Sequence, residues 1–406
     1  MIDKRIINKK LEDICEIVSS LYGRQYNLGV LNGVSGLSLF QFYYARYVDQ
    51  EAPAALGTQT IVNCVDRINR GYGYPTFCNG LAGIGWAFDH LHQEGFIELD
   101  MDAMFSPLDD YIYKRMCEDV SDNNYDFLHG AIGYGLYFLK RYRNSTSEVL
   151  KRKYHRYIFE LVNFLERTAE ADGDSFKWKT AQAIDPKEHG YNLSLSHGIA
   201  GIINFLSRLY YFEDFRPKVK PLIEGGARYI LRFQNQDEGA FALFPSRVTL
   251  DSEINYRSRL AWCYGDLGIG VSLWHVSNAL HDIWLKDTAI KVLRHASKRR
   301  NAEQSMVRDA GICHGAYGIA QVFNKIHRKT NDPDLHEAAQ YWMEEGLKMA
   351  FHDDGFAGYR KFRMLDNKES WDNDLCLLEG ISGIGLVMID HLSEAESTWD
   401  ECLLIS

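Results

Sequence analysis

A Gly-x-x-Gly pattern recurs seven times along the 406 residues, and no other feature limits the possible folds as strongly. The copies are Gly33-Val-Ser-Gly36, Gly80-Leu-Ala-Gly83, Gly130-Ala-Ile-Gly133, Gly198-Ile-Ala-Gly201, Gly265-Asp-Leu-Gly268, Gly315-Ala-Tyr-Gly318 and Gly380-Ile-Ser-Gly383. In six of the seven a third small residue stands five positions after the first glycine: Ser38, Gly85, Gly135, Gly270, Ala320 and Gly385, with Ile203 the exception. The first glycines are 47, 50, 68, 67, 50 and 65 residues apart, which is the length of a helical hairpin plus its loops. One such pair would carry no information. Seven predict a repeat architecture.

Each copy opens a stretch that is apolar on most sides, such as Gly80-Leu-Ala-Gly-Ile-Gly-Trp-Ala-Phe-Asp-His-Leu91, as expected of a helix buried all round. The text between copies is amphipathic and charged, for example from Ser147 to Val162 and from Pro333 to Leu347. Apolar inner helices therefore alternate with polar-faced outer ones. The economical solution is an all-α, single-domain α/α toroid over residues 1–406, with seven helical hairpins whose inner helices line a central funnel. Glycine inside a helix costs about 1 kcal/mol relative to alanine; close approach of neighbouring backbones at the funnel would offset that cost. Less helical text at 172–181, 238–245 and 354–363 is expected to form loops with short strand pieces on the rim.

The dipeptides before the first glycines should all lie at inner-helix N-termini, facing one end of the ring. They are Leu31-Asn32, Cys78-Asn79, Leu128-His129, Ser196-His197, Cys263-Tyr264, Cys313-His314 and Leu378-Glu379. Asn32 and Asn79 suit N-caps. Cys263, Cys313 and His314 offer two soft thiolates and one imidazole, a set that suits zinc. Three protein ligands leave a fourth tetrahedral corner open, which marks a catalytic site. Taken singly, the two cysteines would be small core residues and His314 a cap. Cys78 shares their register as a spare ligand. His197 is the candidate proton donor or acceptor; Asp126 and His129 stay open between assisting it and capping, and Arg259 between orienting a carboxyl and forming a surface ion pair.

A formal charge of −10 and a pI near 5.8 exclude a nucleic-acid partner, whose phosphates demand a basic face. No apolar run approaches the ~20 residues of a spanning helix. The charged start, Met1 to Lys10, lacks the apolar stretch of a signal peptide, so the expected location is cytoplasmic. The eight cysteines are scattered without a CxxC pair, which argues against a disulfide framework or a structural zinc finger.

These motifs resemble the LanC family, the free-standing lanthionine synthetase cyclases of lanthipeptide biosynthesis. The resemblance rests on Trp262-Cys263-Tyr264-Gly265, Cys313-His314-Gly315, Ser196-His197-Gly198 and the sevenfold glycine pattern, and covers essentially the whole chain. It implies a zinc-dependent enzyme that adds a cysteine thiolate of a dehydrated precursor peptide to dehydroalanine or dehydrobutyrine, closing a thioether ring. It further implies Cys263, Cys313 and His314 as zinc ligands, and His197, Asp126 and Arg259 as catalytic residues. A dehydratase would be a partner, and an exporter or the inner membrane face a place of docking. The chain departs from the family where Pro is common in the Gly265–Gly268 segment, and where His129 replaces an acidic or neutral residue. Rival readings are a zinc-dependent prenyltransferase subunit, a glycan-processing toroid using carboxylates such as Asp126 and Glu379, and a non-catalytic scaffold that binds peptide or glutathione.

Overall fold

The computed structural model describes residues 3–179, 190–237, 239–249, 253–366 and 368–406, and these are mostly helical. The chain divides into two compact units, Met1–Asp100 with Val307–Ser406, and Met101–Met306. The first opens with α1 (Lys4–Leu21), α2 (Val34–Val48), α3 (Glu51–Asn69) and α4 (Leu81–Gln93). The second contains α5 (Met101–Ser121), α6 (Ala131–Asn144), α7 (Glu148–Thr168), α8 (Ile199–Leu209), α9 (Arg216–Leu231), α10 (Gly265–Leu280), α11 (Ile283–Ala296) and the short α12 (Ala302–Ser305). The first unit then resumes with α13 (Ala316–Thr330), α14 (Pro333–Lys348) and α15 (Ile381–Leu392).

The seven helices opened by Gly-x-x-Gly are α2, α4, α6, α8, α10, α13 and α15, as the repeat predicts. Their burial follows the sequence pattern. Every residue of α4 from Leu81 to Leu91 is buried, whereas α1 buries only the stripe Ile7, Leu11, Ile14 and Val18. Each such apolar side chain stabilises by roughly 1.5–3 kcal/mol on full burial, which holds a helix that would be marginal alone. In the first unit α3 packs on α2, α14 on α13 and α1 on α15, so the last apolar helix takes its outer partner from the N-terminal segment. In the second unit α7 packs on α6, α9 on α8 and α11 on α10.

A line of backbone hydrogen bonds joins the loops just before these helices. In the first unit the N–H groups of Leu31 and Asn32 donate to Cys78 O, that of Leu378 to Leu31 O, and those of Ile312 and Cys313 to Leu378 O. In the second, Phe127 N–H donates to Ser196 O and Ser196 N–H to Cys263 O. The residues flagged by register are thus positioned by main-chain bonds between repeats, independent of their side chains.

The glycines serve a purpose different from the expected crowding of neighbouring helices. A Cβ on Gly318 would lie 1.8 Å from Ile312 O, on Gly383 1.9 Å from Leu377 O, and on Gly83 2.0 Å from Phe77 O. In each case the obstacle is the carbonyl six residues earlier, in the loop that folds back beneath its own helix. Neighbours matter more at the third position, where a Cβ on Gly385 would meet Phe40 at 2.3 Å and one on Gly270 would meet Leu293 at 2.8 Å.

Three two-stranded antiparallel ribbons complete the described residues: β1 (Glu170–Asp172) with β2 (Ser175–Lys177), β3 (Gly190–Asn192) with β4 (Arg247–Thr249), and β5 (Lys361–Leu365) with β6 (Lys368–Asp372). Ala171 faces Phe176, Tyr191 faces Val248, and Arg363 faces Ser370 across them. The first and third fall close to the expected rim stretches. Within 238–245 the described residues form no strand; β4 lies just beyond, and pairs with a segment more than fifty residues earlier, a partner no local pattern reveals. Of the expected rim stretches, Thr180, Ala181 and Glu238 lie outside the described residues.

Candidate metal centre

Cys263, Cys313 and His314 each offer one ligand atom, and these atoms lie within 4.8 Å of one another. Among the described residues no other group of three or more histidines, cysteines and carboxylates could hold a metal ion in this way. Tetrahedral zinc, with Zn–S near 2.3 Å and Zn–N near 2.0–2.1 Å, sets its ligand atoms about 3.5–3.8 Å apart. The donor types, two thiols and an imidazole, fit zinc.

The local chain explains how each ligand is placed. Cys263 is buried, and its carbonyl accepts Ser196 N–H at 3.3 Å and Ser196 Oγ–H at 3.1 Å. Two residues later Gly265 has φ +70°, whereas the other six first glycines are extended N-caps such as Gly315 at φ −110°. That left-handed turn brings the Cys263 loop against residues 258–259, where a Cβ on Gly265 would meet Ser258 Oγ at 2.7 Å. Cys313 and Ile312 both donate main-chain N–H to Leu378 O, at 2.9 and 3.0 Å. His314 is not a cap: Gly315 takes that position, and no side chain bonds there.

Before His314 in its own loop stands Asp309, which is 3% exposed. Its Oδ2 lies 3.5 Å from His314 Nε2 and accepts Phe362 N–H at 2.9 Å, while Oδ1 accepts Gly311 N–H at 3.3 Å. Asp309 escaped the sequence reading. The signal was present, because the residue six before the first glycine is Asn27, Asn124, Asn192, Asp309 or Asp374 in five of the seven copies. In four of these the side-chain oxygen accepts the N–H two residues on, the Asx turn that such residues favour.

A second cluster surrounds His197. Its Nδ1 is hydrogen-bonded to Asp126 Oδ2, and both side chains are largely buried. Asp126 Oδ1 accepts the main-chain N–H groups of Leu128 and His129, each at 2.7 Å, which fixes the carboxylate plane. Burial by itself would lower the His197 pKa, but the hydrogen bond and charge of Asp126, with a smaller contribution from Cys263, outweigh it and raise the pKa above the ordinary value. The ring of Tyr264 stands 5.7 Å from the His197 ring, centroid to centroid.

The remaining expected residues separate. Burial lowers the His129 pKa more than nearby Asp126 restores it. Arg259 is part-exposed and forms no ion pair among the described residues. Cys78 stays outside the metal group although it shares the register. Asn32 and Asn79 do not cap: Gly33 and Gly80 are the N-caps, and the two amides bond each other at 3.1 Å instead. Glu379 is ion-paired with the buried Lys361, which also holds Asp374. Among the described residues no disulfide joins any of the eight cysteines.

The family model for lanthionine synthetase C-like proteins matches residues 24–404. Among curated proteins the chain is similar to the nisin biosynthesis protein NisC of Lactococcus lactis subsp. lactis, at 23% identity over 350 residues, 80% of this chain and 76% of that one. Among solved structures it is similar to nisin cyclase, with a TM-score of 0.75 and 19% identity over 98% of this chain and 97% of the other. That likeness shows the fold to be an α/α toroid.

Proposed function

Because the chain belongs to the lanthionine synthetase C-like family, we propose that it is a zinc-dependent peptide cyclase. It would join a cysteine thiol of a dehydrated precursor peptide to dehydroalanine or dehydrobutyrine as a (methyl)lanthionine thioether. The observation that carries this reading is the convergence of Cys263, Cys313 and His314. Zinc held by Cys263, Cys313 and His314 would supply a Lewis acid that lowers the pKa of a substrate thiol. A free cysteine, with pKa near ~8.5, is only slightly ionised at neutral pH.

The chain's own residues manage the other half of the chemistry. Sulfur attacks the β-carbon, the C=C π electrons move toward the carbonyl, and the resulting enolate needs a proton at the α-carbon. The exchange is proton-neutral: the thiol loses one and the α-carbon gains one. His197 is the donor. Asp126 occupies its Nδ1 and keeps the ring protonated nearer neutral pH, so that Nε2 carries the transferable proton. Arg259 is assigned to orienting the substrate carbonyl, a role consistent with its forming no ion pair among the described residues. Residues 1–406 act in this reading as one catalytic domain. It works in the reducing cytoplasm beside a dehydratase and an exporter, in keeping with eight cysteines that form no disulfide among the described residues.

The test is to incubate the purified protein with a dehydrated peptide and follow loss of free thiol at constant peptide mass. Ring closure at one zinc per chain supports a cyclase. Bound zinc and peptide without thiol loss would instead leave a scaffold.

A further inference from the structure

Two histidines in one register each face a buried aspartate, but through opposite ring nitrogens. The His197 ring offers Nδ1 to Asp126, whereas the His314 ring turns Nε2 toward Asp309. We propose that Asp309 is a positioning residue for the metal centre: its carboxylate takes the Nε2–H of His314 and thereby presents Nδ1 as the metal-binding nitrogen. This rests on the reading of Cys263, Cys313 and His314 as a zinc site.

The support is local. Asp309 is 3% exposed, and a carboxylate so buried requires partners. Two main-chain N–H groups hold it, Gly311 on Oδ1 and Phe362 on Oδ2, so its orientation toward His314 is set by backbone. The Phe362 bond also ties it to the base of the β5–β6 ribbon. Arg308, one residue earlier, lies over the Phe362 ring at 4.8 Å and pairs with Glu369 of β6. The ribbon thus braces the strip that carries Asp309. A carboxylate on the distal nitrogen of a metal-bound imidazole fixes tautomer and ring orientation and makes the ligand more basic.

The competing explanation is that Asp309 is merely the Asx turn of its repeat. Asn124 and Asn192 make that turn at equivalent positions without a charge. The repeat therefore supplies the discriminating variant. Asp309→Asn can keep the Oδ1 bond to Gly311 while removing the charge that faces His314, together with the acceptor that Oδ2 offers Phe362 N–H.

The measurements are zinc affinity by chelator competition and thermal unfolding of the metal-free protein. Asp309→Asn should leave the apo protein folded, with its unfolding temperature lowered only by loss of the Phe362 bond, and weaken zinc binding by about 10–100-fold, the usual cost of losing such an outer partner. Asp309→Glu, which keeps the charge, should recover part of that loss. A folded Asp309→Asn protein with parental zinc affinity overturns the proposal. Should the variant fail to fold, nitrogen-15 spectra of the zinc-loaded parent decide the matter: His314 protonated at Nε2 supports the assignment, and His314 protonated at Nδ1 overturns it. A parent that binds no zinc overturns the metal reading beneath, whichever way Asp309 behaves.

Discussion

The loops that carry His197 and His314 are copies of one design with opposite outcomes. Both histidines directly precede a first glycine, and both face an aspartate that is almost fully buried. For His197 the aspartate comes from the preceding repeat and bonds Nδ1. For His314 it comes from the same loop and faces Nε2, and two thiols stand within reach of the ring. In the reading proposed above, the ring nitrogen that the neighbouring carboxylate leaves free is the working atom of each imidazole. His129, in the same register, has its pKa lowered by burial more than nearby Asp126 restores it.

The sharpest contrast comes from removing each ring. His314→Ala should reduce zinc affinity by more than about 100-fold, beyond the usual loss for an outer partner, and abolish thiol consumption. His197→Asn should keep one zinc per chain while kcat falls by about 10²–10⁴-fold, the range for a lost general acid. Metal analysis beside turnover reads both. A His197 variant that loses its zinc would break the division of labour.

Asp126→Asn should have a smaller effect on rate and a distinctive one on pH. Asp126 raises the His197 pKa, so removing its charge lets burial depress it. The protonated donor then disappears at lower pH, and the alkaline limb of the rate profile moves toward acid. Stability carries the same sign. The parental contribution is present below the unfolded histidine pKa of ~6.5 and is lost as pH rises through the raised folded value. The destabilisation caused by Asp126→Asn should therefore shrink as pH rises, as read by denaturant unfolding across that range. The smallest effect belongs to Cys78→Ala. It should leave zinc content unchanged and cost about 1 kcal/mol, the scale of one small buried group lost from the core.

Much of this was legible because it recurs. The seven glycine pairs locate the apolar helices, and Cys263, Cys313, His314 and His197 stand out since their register is fixed by those pairs. The reason for the glycines was not legible: contact with Ile312 O beneath Gly318 depends on a loop folding back, which no linear spacing displays. Asn32 and Asn79 look like caps by type, but a glycine one residue later takes the position and frees the two amides to pair. Asp309 was hidden in plain composition, as one Asx among several that make turns. Its distinction lies in the direction of the second carboxylate oxygen. The pairing of β3 with β4 is long-range, and only the folded chain reveals it.

Anomalous diffraction at the zinc edge, on crystals of the protein as purified, addresses the metal centre most directly. A single peak about 2.3 Å from the sulfurs of Cys263 and Cys313 and about 2.0–2.1 Å from a ring nitrogen of His314 is the predicted result. Crystals with no peak within bonding distance of those three atoms, from protein that still consumes thiol, would contradict it.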